Sequence, residues 1–513
     1  MSKKLYIESL FLIFLGMATS LSLPPLNYLF VNFITFSLFF IFLVKKHYVE
    51  KNKKLFFWYG WLFGFGYFLT NLYWISISVT FDENFKFLFP FILILIPSFL
   101  AIFYGLSSYL FKIFKPKKIV SSFLLFSLIF AILEFIRGFV LTGFPWNLIA
   151  YSFSENLKVL SIISIIGTYG FNLFCISLFT SPALLIIRDS KKDLIFCIFF
   201  LLSPIFFYIN GNSIEKNFFE SKKSNYEYKI RSVASNISLD RFYKNIDTES
   251  VIKDLIEISE PNLNEKIIFL WPEGIIPNMT QDQIFKYKWL FKEKFNENHL
   301  LGFGITNHFW EDGKQKFYNS FSIYDNELNL LHSYDKVNLV PFGEFLPFEK
   351  TLKKIGLKSL TNNYQSFSRG DTRQNINIKQ NNFSLKILPL ICYEIIYSGK
   401  IFNNQDFDLI VNISEDGWFG KSIGPKQHFV HSIFRAIENG KYLIRSSNNG
   451  IAAVINPLGN VEKKVEFGKS GFIDFNENRK IQSTIFFRYG NKIFIIMILL
   501  YISMIFLMNK IKS

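Results

Sequence analysis

Cysteine is scarce in this chain, with only Cys175, Cys197 and Cys392 among 513 residues. Three cysteines allow no disulfide framework. No Cys/His spacing of a zinc site and no glycine-rich phosphate loop occurs either, so neither a metal nor a cofactor is expected. Cys175 and Cys197 lie in the apolar runs NLFCISLF and LIFCIFFL, where a small buried hydrophobe is the simple reading. Cys392 alone sits in a more polar stretch. Acidic side chains are also few, 40 against 56 basic ones, leaving a formal net charge of +16. Apolar residues, by contrast, make up half the chain, and 19% of it is aromatic. The mean hydropathy is positive, which argues against a disordered or collagen-like chain. The length is a prior for two or three domains. The basic excess points either to a nucleic-acid partner or to one side of a membrane. Its distribution decides between them.

Apolar runs long enough to cross a bilayer recur through residues 1–209, about 20 residues being needed per helix. Spans are expected near 5–22, 26–44, 56–80, 88–111, 119–138, 159–187 and 194–209. A further one lies near 491–508, in a C-terminal segment 491–513 made of one helix and a short tail. Residues 210–490 are polar and charged. The N-terminal end, alternate loops and the tail carry 16 basic residues, from Lys3 and Lys4 to Lys510 and Lys512, against three acids. The intervening loops are nearly bare of charge. By the positive-inside rule both termini are cytoplasmic and the 281-residue polar domain lies on the outer side. Span one also reads as a signal peptide, although an uncleaved anchor is favoured. The polar domain holds 36 basic and 32 acidic residues, which is no nucleic-acid footprint.

Strand-like segments recur in that domain at 229–235, 266–271, 299–305, 317–324, 383–392, 408–414, 442–447 and 450–457. Helical patterns at 249–259, 281–294 and 426–440 lie between some of them. Several strands are apolar nearly throughout, as expected when both faces of a sheet are covered, so a layered α/β domain is predicted. No internal repeat is evident.

Reactive side chains fall where apolar strands end. KIIFLW runs into WPEG and delivers Glu273, FSLKILPLIC ends at Cys392 followed by Tyr393 and Glu394, and SYDKVNLVPFGEFLP carries Lys336 and Glu344. A thiolate is a nucleophile, a carboxylate can take its proton, and a lysine can stabilise an oxyanion. The N–H after the cysteine adds a donor if a helix starts there. Each residue also has a plainer reading: Cys392 as a small buried side chain, Glu273 as a turn cap, Lys336 as a surface ion-pair partner. Glu134 and Arg137, three apart near the end of span five, read equally as a functional pair or a structural one.

WPEG, YDKVNLVPFGEFLPFE and LICYE, in this order, resemble the Glu–Lys–Cys signatures of the nitrilase (carbon–nitrogen hydrolase) superfamily. TGFPWNLIAYS, YNS, GWFG, GPKQHF, RAIENGKYLIRSSNNGIAAVINPLG and FFRYGN resemble, more narrowly, the apolipoprotein N-acyltransferase family over nearly the full chain. The resemblance implies an α-helical membrane base of about eight spans carrying an αββα nitrilase-like domain that faces the periplasm from the bacterial inner membrane. It implies transfer of the sn-1 acyl chain of a phospholipid, through a cysteine thioester, to the α-amino group of a diacylated apolipoprotein. A membrane-tethered amidase is the alternative. In this correspondence Glu273 matches the general base, Lys336 the oxyanion-stabilising lysine and Cys392 the nucleophile. Glu344, Tyr393 and Glu394 match further residues that the family needs. Where the family usually places a tryptophan near the substrate, this chain offers Phe242 or Tyr243, and where SND usually precedes GWFG it has SED. Trp418 of GWFG and Trp146 are further candidate substrate or lid contacts. Phe144, Trp146 and Tyr151 also suit a membrane interface, as would any aromatic belt. Nothing calls for an obligate protein partner, and a monomer is expected.

Overall fold

The computed structural model describes residues 3–510 except 245, 312, 353, 355–365, 381–382, 400–405 and 480. The chain forms two compact units, one of residues 1–77, 87–219 and 483–513, the other of 78–86 and 220–482.

The first unit is helical. Its long helices are Lys3–Ser20, Val31–Val49, Lys53–Leu72, Phe89–Phe114, Ile119–Arg137, Ile163–Thr180, Lys191–Glu220 and Lys492–Lys510. Seven of these eight, some with short helical extensions, are long and apolar enough to cross a membrane, and Lys3–Ser20 falls short because Lys3, Lys4 and Glu8 dilute its apolar run. A helix satisfies its own backbone, which an apolar surrounding requires. Gly60 and Gly66 on helix Lys53–Leu72 let its neighbours approach. A Cβ on Gly60 would meet Tyr104 O at 2.2 Å, and one on Gly66 would meet Ile13 O at 2.1 Å.

Two boundaries differ from expectation. The second helix begins at Val31 rather than near 26, because Pro24 and Pro25 hold the preceding residues in a turn. The last helix before the polar unit runs to Glu220 instead of ending at 209. Its polar end is held by Lys158, which pairs with Glu215 at 3.0 Å and donates to Asn212 Oδ1 at 2.9 Å. The aromatics proposed for an exposed belt are also placed differently. Trp146 and Tyr151 are buried within the helical unit, and Trp146 lies between Trp74 (4.9 Å) and Phe144 (6.0 Å).

Among the described residues the second unit holds twelve strands: β1 Lys223–Ala234, β2 Ile267–Leu270, β3 His299–Glu311, β4 Lys314–Tyr324, β5 Leu330–Asp335, β6 Ile376–Gln380, β7 Phe383–Ile391, β8 Leu409–Glu415, β9 Tyr442–Asn448, β10 Ala452–Ile455, β11 Val461–Val465 and β12 Gly471–Arg479. They form two six-stranded sheets, ordered β12-β1-β2-β3-β4-β5 and β11-β10-β9-β8-β7-β6. In each sheet three adjacent strands are parallel (β1-β2-β3 and β7-β8-β9) and the outer pairings are antiparallel. The pairing pattern thus repeats although the sequence does not.

The sheets lie face to face. Ser446 donates to Val233 O (2.8 Å) and Leu270 O (2.9 Å), and Ser232 donates to Arg445 O (2.7 Å). These short side chains bind the layers where bulkier ones would hold them apart. Helices cover the outer faces, completing an αββα sandwich. Helix Thr248–Ser259 starts at Asp247, whose carboxylate accepts from Glu249 N and Ser250 N. It buries Val251, Ile252, Leu255 and Ile256 in one cluster with Ile267, Phe269 and Trp271. On the other sheet, helix Gly424–Asn439 ends at Gly440, whose φ of +62° is the left-handed conformation that closes many helices.

Candidate active site

Three strand ends bring the predicted residues together. Glu273 follows β2, Lys336 follows β5 and Cys392 follows β7. Lys336 Nζ lies 3.0 Å from Glu273 Oε1 and 2.9 Å from Glu344 Oε1, with all three side chains buried. Asn319 on β4 donates to both carboxylates at 2.7 Å, closing a four-membered polar ring. Backbone groups fix the remaining oxygens: Glu415 N donates to Glu273 Oε2 at 3.0 Å and Val340 N to Glu344 Oε2 at 2.8 Å. Asn319 lies in the YNS segment, but its role depends on the β4–β5 pairing and is invisible in sequence.

Cys392 has a φ of +47°, unusual for a residue with a Cβ, and it opens the short 3-10 helix Cys392–Ile396. The sharp turn carries the strand directly into a helical start. Such left-handed backbone costs energy and persists only when its surroundings over-determine it. Here Glu394 does much of that. Its fully buried carboxylate accepts from Ile391 N (2.9 Å), Val337 N (3.0 Å), Asn338 N (3.1 Å), Tyr334 OH (2.9 Å) and Arg373 Nη2 (2.8 Å). One side chain therefore ties the cysteine turn to the lysine loop. Arg435 supports the same turn from behind, donating to Ile395 O and Ile396 O while pairing with Glu438. Tyr393 is buried, its ring edge-on to Tyr397 at 5.5 Å.

Electrostatics set the resting protonation. Burial pushes the Cys392 thiol well above its ordinary pKa, and Glu273 adds to the rise. Lys336 and a hydrogen bond with Ser414 oppose it without reversing it. Burial alone would favour a neutral Lys336, but Glu273, Glu344 and Cys392 outweigh it and hold the ammonium well above its usual range. Burial raises Glu344, with Lys336 pulling it back. The resting set is a neutral thiol beside a charged lysine, so thiolate formation must be coupled to proton removal. A neighbouring carboxylate is suited to that task.

Behind the cluster, the SED segment, noted in the sequence only as a departure before GWFG, supplies two buried acids, Glu415 and Asp416. Despite burial, Arg445 and His428 hold Asp416 well below the usual carboxylate range, and Arg445 Nη2 lies 2.8 Å from Asp416 Oδ2. Glu415 pairs with Arg241 and accepts from Asn448 Nδ2 at 2.6 Å.

The aromatic candidates divide between the two units. Phe242 stacks on Trp418 at 5.4 Å, and Tyr243 meets the same indole edge-on at 6.3 Å. Phe81, which sequence reasoning did not identify, touches Trp418 at 6.1 Å. The Phe242 ring also lies beside Gly274, within 3.8 Å of where a Cβ would stand. Trp146 belongs instead to the helical unit. Glu134 and Arg137 are there too, both buried and 3.4 Å apart: Tyr104 and Asn172 donate to Glu134 at 2.8 and 2.6 Å, and Arg137 donates to Phe144 O and Asn147 O. Among the described residues no group of three or more His, Cys, Asp or Glu is placed to hold a metal ion.

Two sheets of this pairing order between helical layers, in one chain with a polytopic helical unit, define a membrane protein with a carbon–nitrogen hydrolase domain. Residues 290–476 match the carbon–nitrogen hydrolase family, and residues 15–180 match the apolipoprotein N-acyltransferase N-terminal domain. The apolipoprotein N-acyltransferase of Rickettsia prowazekii is 32% identical over 98% of this chain and 100% of its own length. That of Rhodopseudomonas palustris is 30% identical over 93% of this chain and 90% of its own. The chain belongs to the apolipoprotein N-acyltransferase family. Among solved structures, a carbon–nitrogen hydrolase superfamily protein of Xanthomonas campestris is 14% identical. It covers 49% of this chain and 90% of that one at a TM-score of 0.35.

Proposed function

We propose that the protein transfers the sn-1 acyl chain of a phospholipid to the α-amino group of the N-terminal S-diacylglyceryl-cysteine of apolipoproteins, by a ping-pong route through Cys392. The observation that carries this reading is the buried Lys336 bridging Glu273 and Glu344 beside Cys392 in a left-handed turn, in a chain with membrane-length helices. In the first half-reaction Glu273 takes the thiol proton as sulfur attacks the ester carbonyl. The oxyanion is met by Lys336 and the Tyr393 N–H. Collapse releases the lysophospholipid alkoxide, which takes the proton from Glu273 and leaves a thioester on Cys392. In the second, the apolipoprotein amine attacks that thioester, Glu273 receives its proton, and the thiol departs reprotonated.

Both substrates carry acyl chains whose removal from lipid costs about 0.8 kcal/mol per CH₂. A membrane-anchored enzyme avoids extracting them. The charge asymmetry of the loops supports a position in the inner membrane with the catalytic unit periplasmic and both termini cytoplasmic. The Phe242–Trp418–Tyr243 cluster next to Gly274 is suited to keeping water from the thioester. We take the working enzyme to be a monomer.

Purified protein incubated with phospholipid should acquire an acyl adduct on Cys392, seen by mass spectrometry and discharged by a diacylated peptide. Absence of the adduct, with amide hydrolysis retained, would establish the amidase alternative. In intact cells an impermeant thiol reagent should reach Cys392 only from the periplasmic side, and labelling from the cytoplasm alone would reverse the orientation.

A further inference from the structure

Arg241 is fully buried, yet it lies on the same short segment as the exposed Tyr243. Its guanidinium reaches three places at once. It pairs with Glu415, donates to Ser238 O at 3.1 Å and approaches Gly274 O at 3.5 Å. It also lies over the neighbouring Phe242 ring, 4.3 Å from the centroid. Two of these contacts, with Glu415 and Gly274, lead to the candidate site. Gly274 directly follows Glu273. Glu415 donates its backbone N–H to Glu273 Oε2, and its side chain accepts from Asn448 Nδ2 and from Gly417 N at 2.7 Å, next to Trp418.

We propose that the Arg241–Glu415 pair is a positioning device that locks the 238–243 segment, with its aromatic side chains, to the carboxylate of Glu273. Neither charged group touches the reacting atoms. They act through the Glu415 N–H, which holds Glu273 Oε2, and through the backbone around Gly274. A buried pair of this kind is a weak source of net stability, because desolvation offsets attraction. It is well suited to fixing geometry, since its members cannot separate without leaving a bare charge inside the protein. The SED segment supplies the carboxylate, and Arg241 supplies the matching cation.

The inference rests on the acyl-transfer reading, and one experiment separates the two. Full-length wild type, R241K and E415Q are purified, and the single-turnover acylation of Cys392 by phospholipid vesicles is followed by mass spectrometry. R241K keeps the charge but cannot span the same three acceptors, and E415Q keeps the shape but not the charge. Both variants should be recovered folded and should acylate about tenfold more slowly per folded molecule at saturating phospholipid. The concentration giving half-maximal rate should change less than twofold, because misplacement of a base slows chemistry rather than binding. An unacylated wild type would refute the acyl-transfer reading itself. With an active wild type, a normal saturating rate in either variant overturns the proposal. So does a loss confined to the half-saturating concentration. Failure of R241K to fold also overturns it, since the role of the pair would then be structural alone.

Discussion

Replacing Glu394 by glutamine tests how the nucleophile and the lysine are held together. In the native site Oε1 accepts from Val337 N, Asn338 N and Arg373, Oε2 accepts from Ile391 N, and the Tyr334 hydroxyl reaches both oxygens. A glutamine has one acceptor oxygen and one NH₂. With its oxygen at the first position, the NH₂ faces the Ile391 N–H; flipped, it faces three N–H donors. In both orientations Arg373 loses its counter-charge inside the protein. Breaking one member of a buried pair costs roughly 3–5 kcal/mol, and an unmet backbone N–H adds about 1–3 kcal/mol, not additively. A domain of this size loses roughly 2–4 °C of thermal midpoint per kcal/mol. The full-length E394Q protein in detergent should therefore melt at least about 6 °C below wild type. Because Ile391 precedes Cys392 and Val337 follows Lys336, a shift of the order of an ångström between them should also slow Cys392 acylation about a hundredfold. Scanning fluorimetry and the adduct assay read the two effects. A midpoint within about 2 °C of wild type, together with an acylation rate within about twofold, would refute the role assigned to this carboxylate.

Two further outcomes follow from the geometry. The raised thiol pKa of Cys392 means that the thiolate fraction grows with pH well beyond neutrality, so alkylation of the resting enzyme by iodoacetamide should keep rising through about pH 9; a plateau reached below about pH 8 would contradict the electrostatic reading. Gly304 on β3 admits the backbone of the Glu273 loop, since a Cβ there would lie 2.5 Å from Glu273 Cα and 2.6 Å from Gly274 N. G304A should lose roughly 1–3 kcal/mol of stability and displace Glu273, and an equally stable, equally active variant would show that the close approach is unimportant.

The strands legible in the sequence and those that were missed differ in one physical respect. β1, β2, β3, β4, β7, β8, β9 and β10 were all anticipated, and each lies inside a sheet. The four missed strands, β5, β6, β11 and β12, are the four sheet edges. Central strands covered on both faces must be apolar nearly throughout and so announce themselves. Edge strands carry polar side chains beside water, as the exposed middle of β11 does, and their pattern merges with that of loops. The helical spans were readable for the same reason as the central strands. Helix Lys191–Glu220 outran its apolar stretch because its polar end is secured by Lys158, a partner distant in sequence.

The sequence by itself singled out a carboxylate and a cysteine at the ends of apolar strands and a lysine in a Pro/Gly-punctuated loop, each with a plainer reading beside the chemical one. It also determined the membrane-length runs and their charge asymmetry. Those are local properties, carried by composition and periodicity. Only the tertiary structure decided that Glu273, Lys336 and Glu344 share one buried ring with Asn319, because strand pairing brings residues 63 positions apart within 3.0 Å. It decided as well that Glu394 serves two loops at once, and that Arg241 and Glu415, 174 residues apart, neutralise each other. Burial is the physical reason. A charge next to water has many equivalent partners, whereas one enclosed by protein is defined by the few groups that close around it.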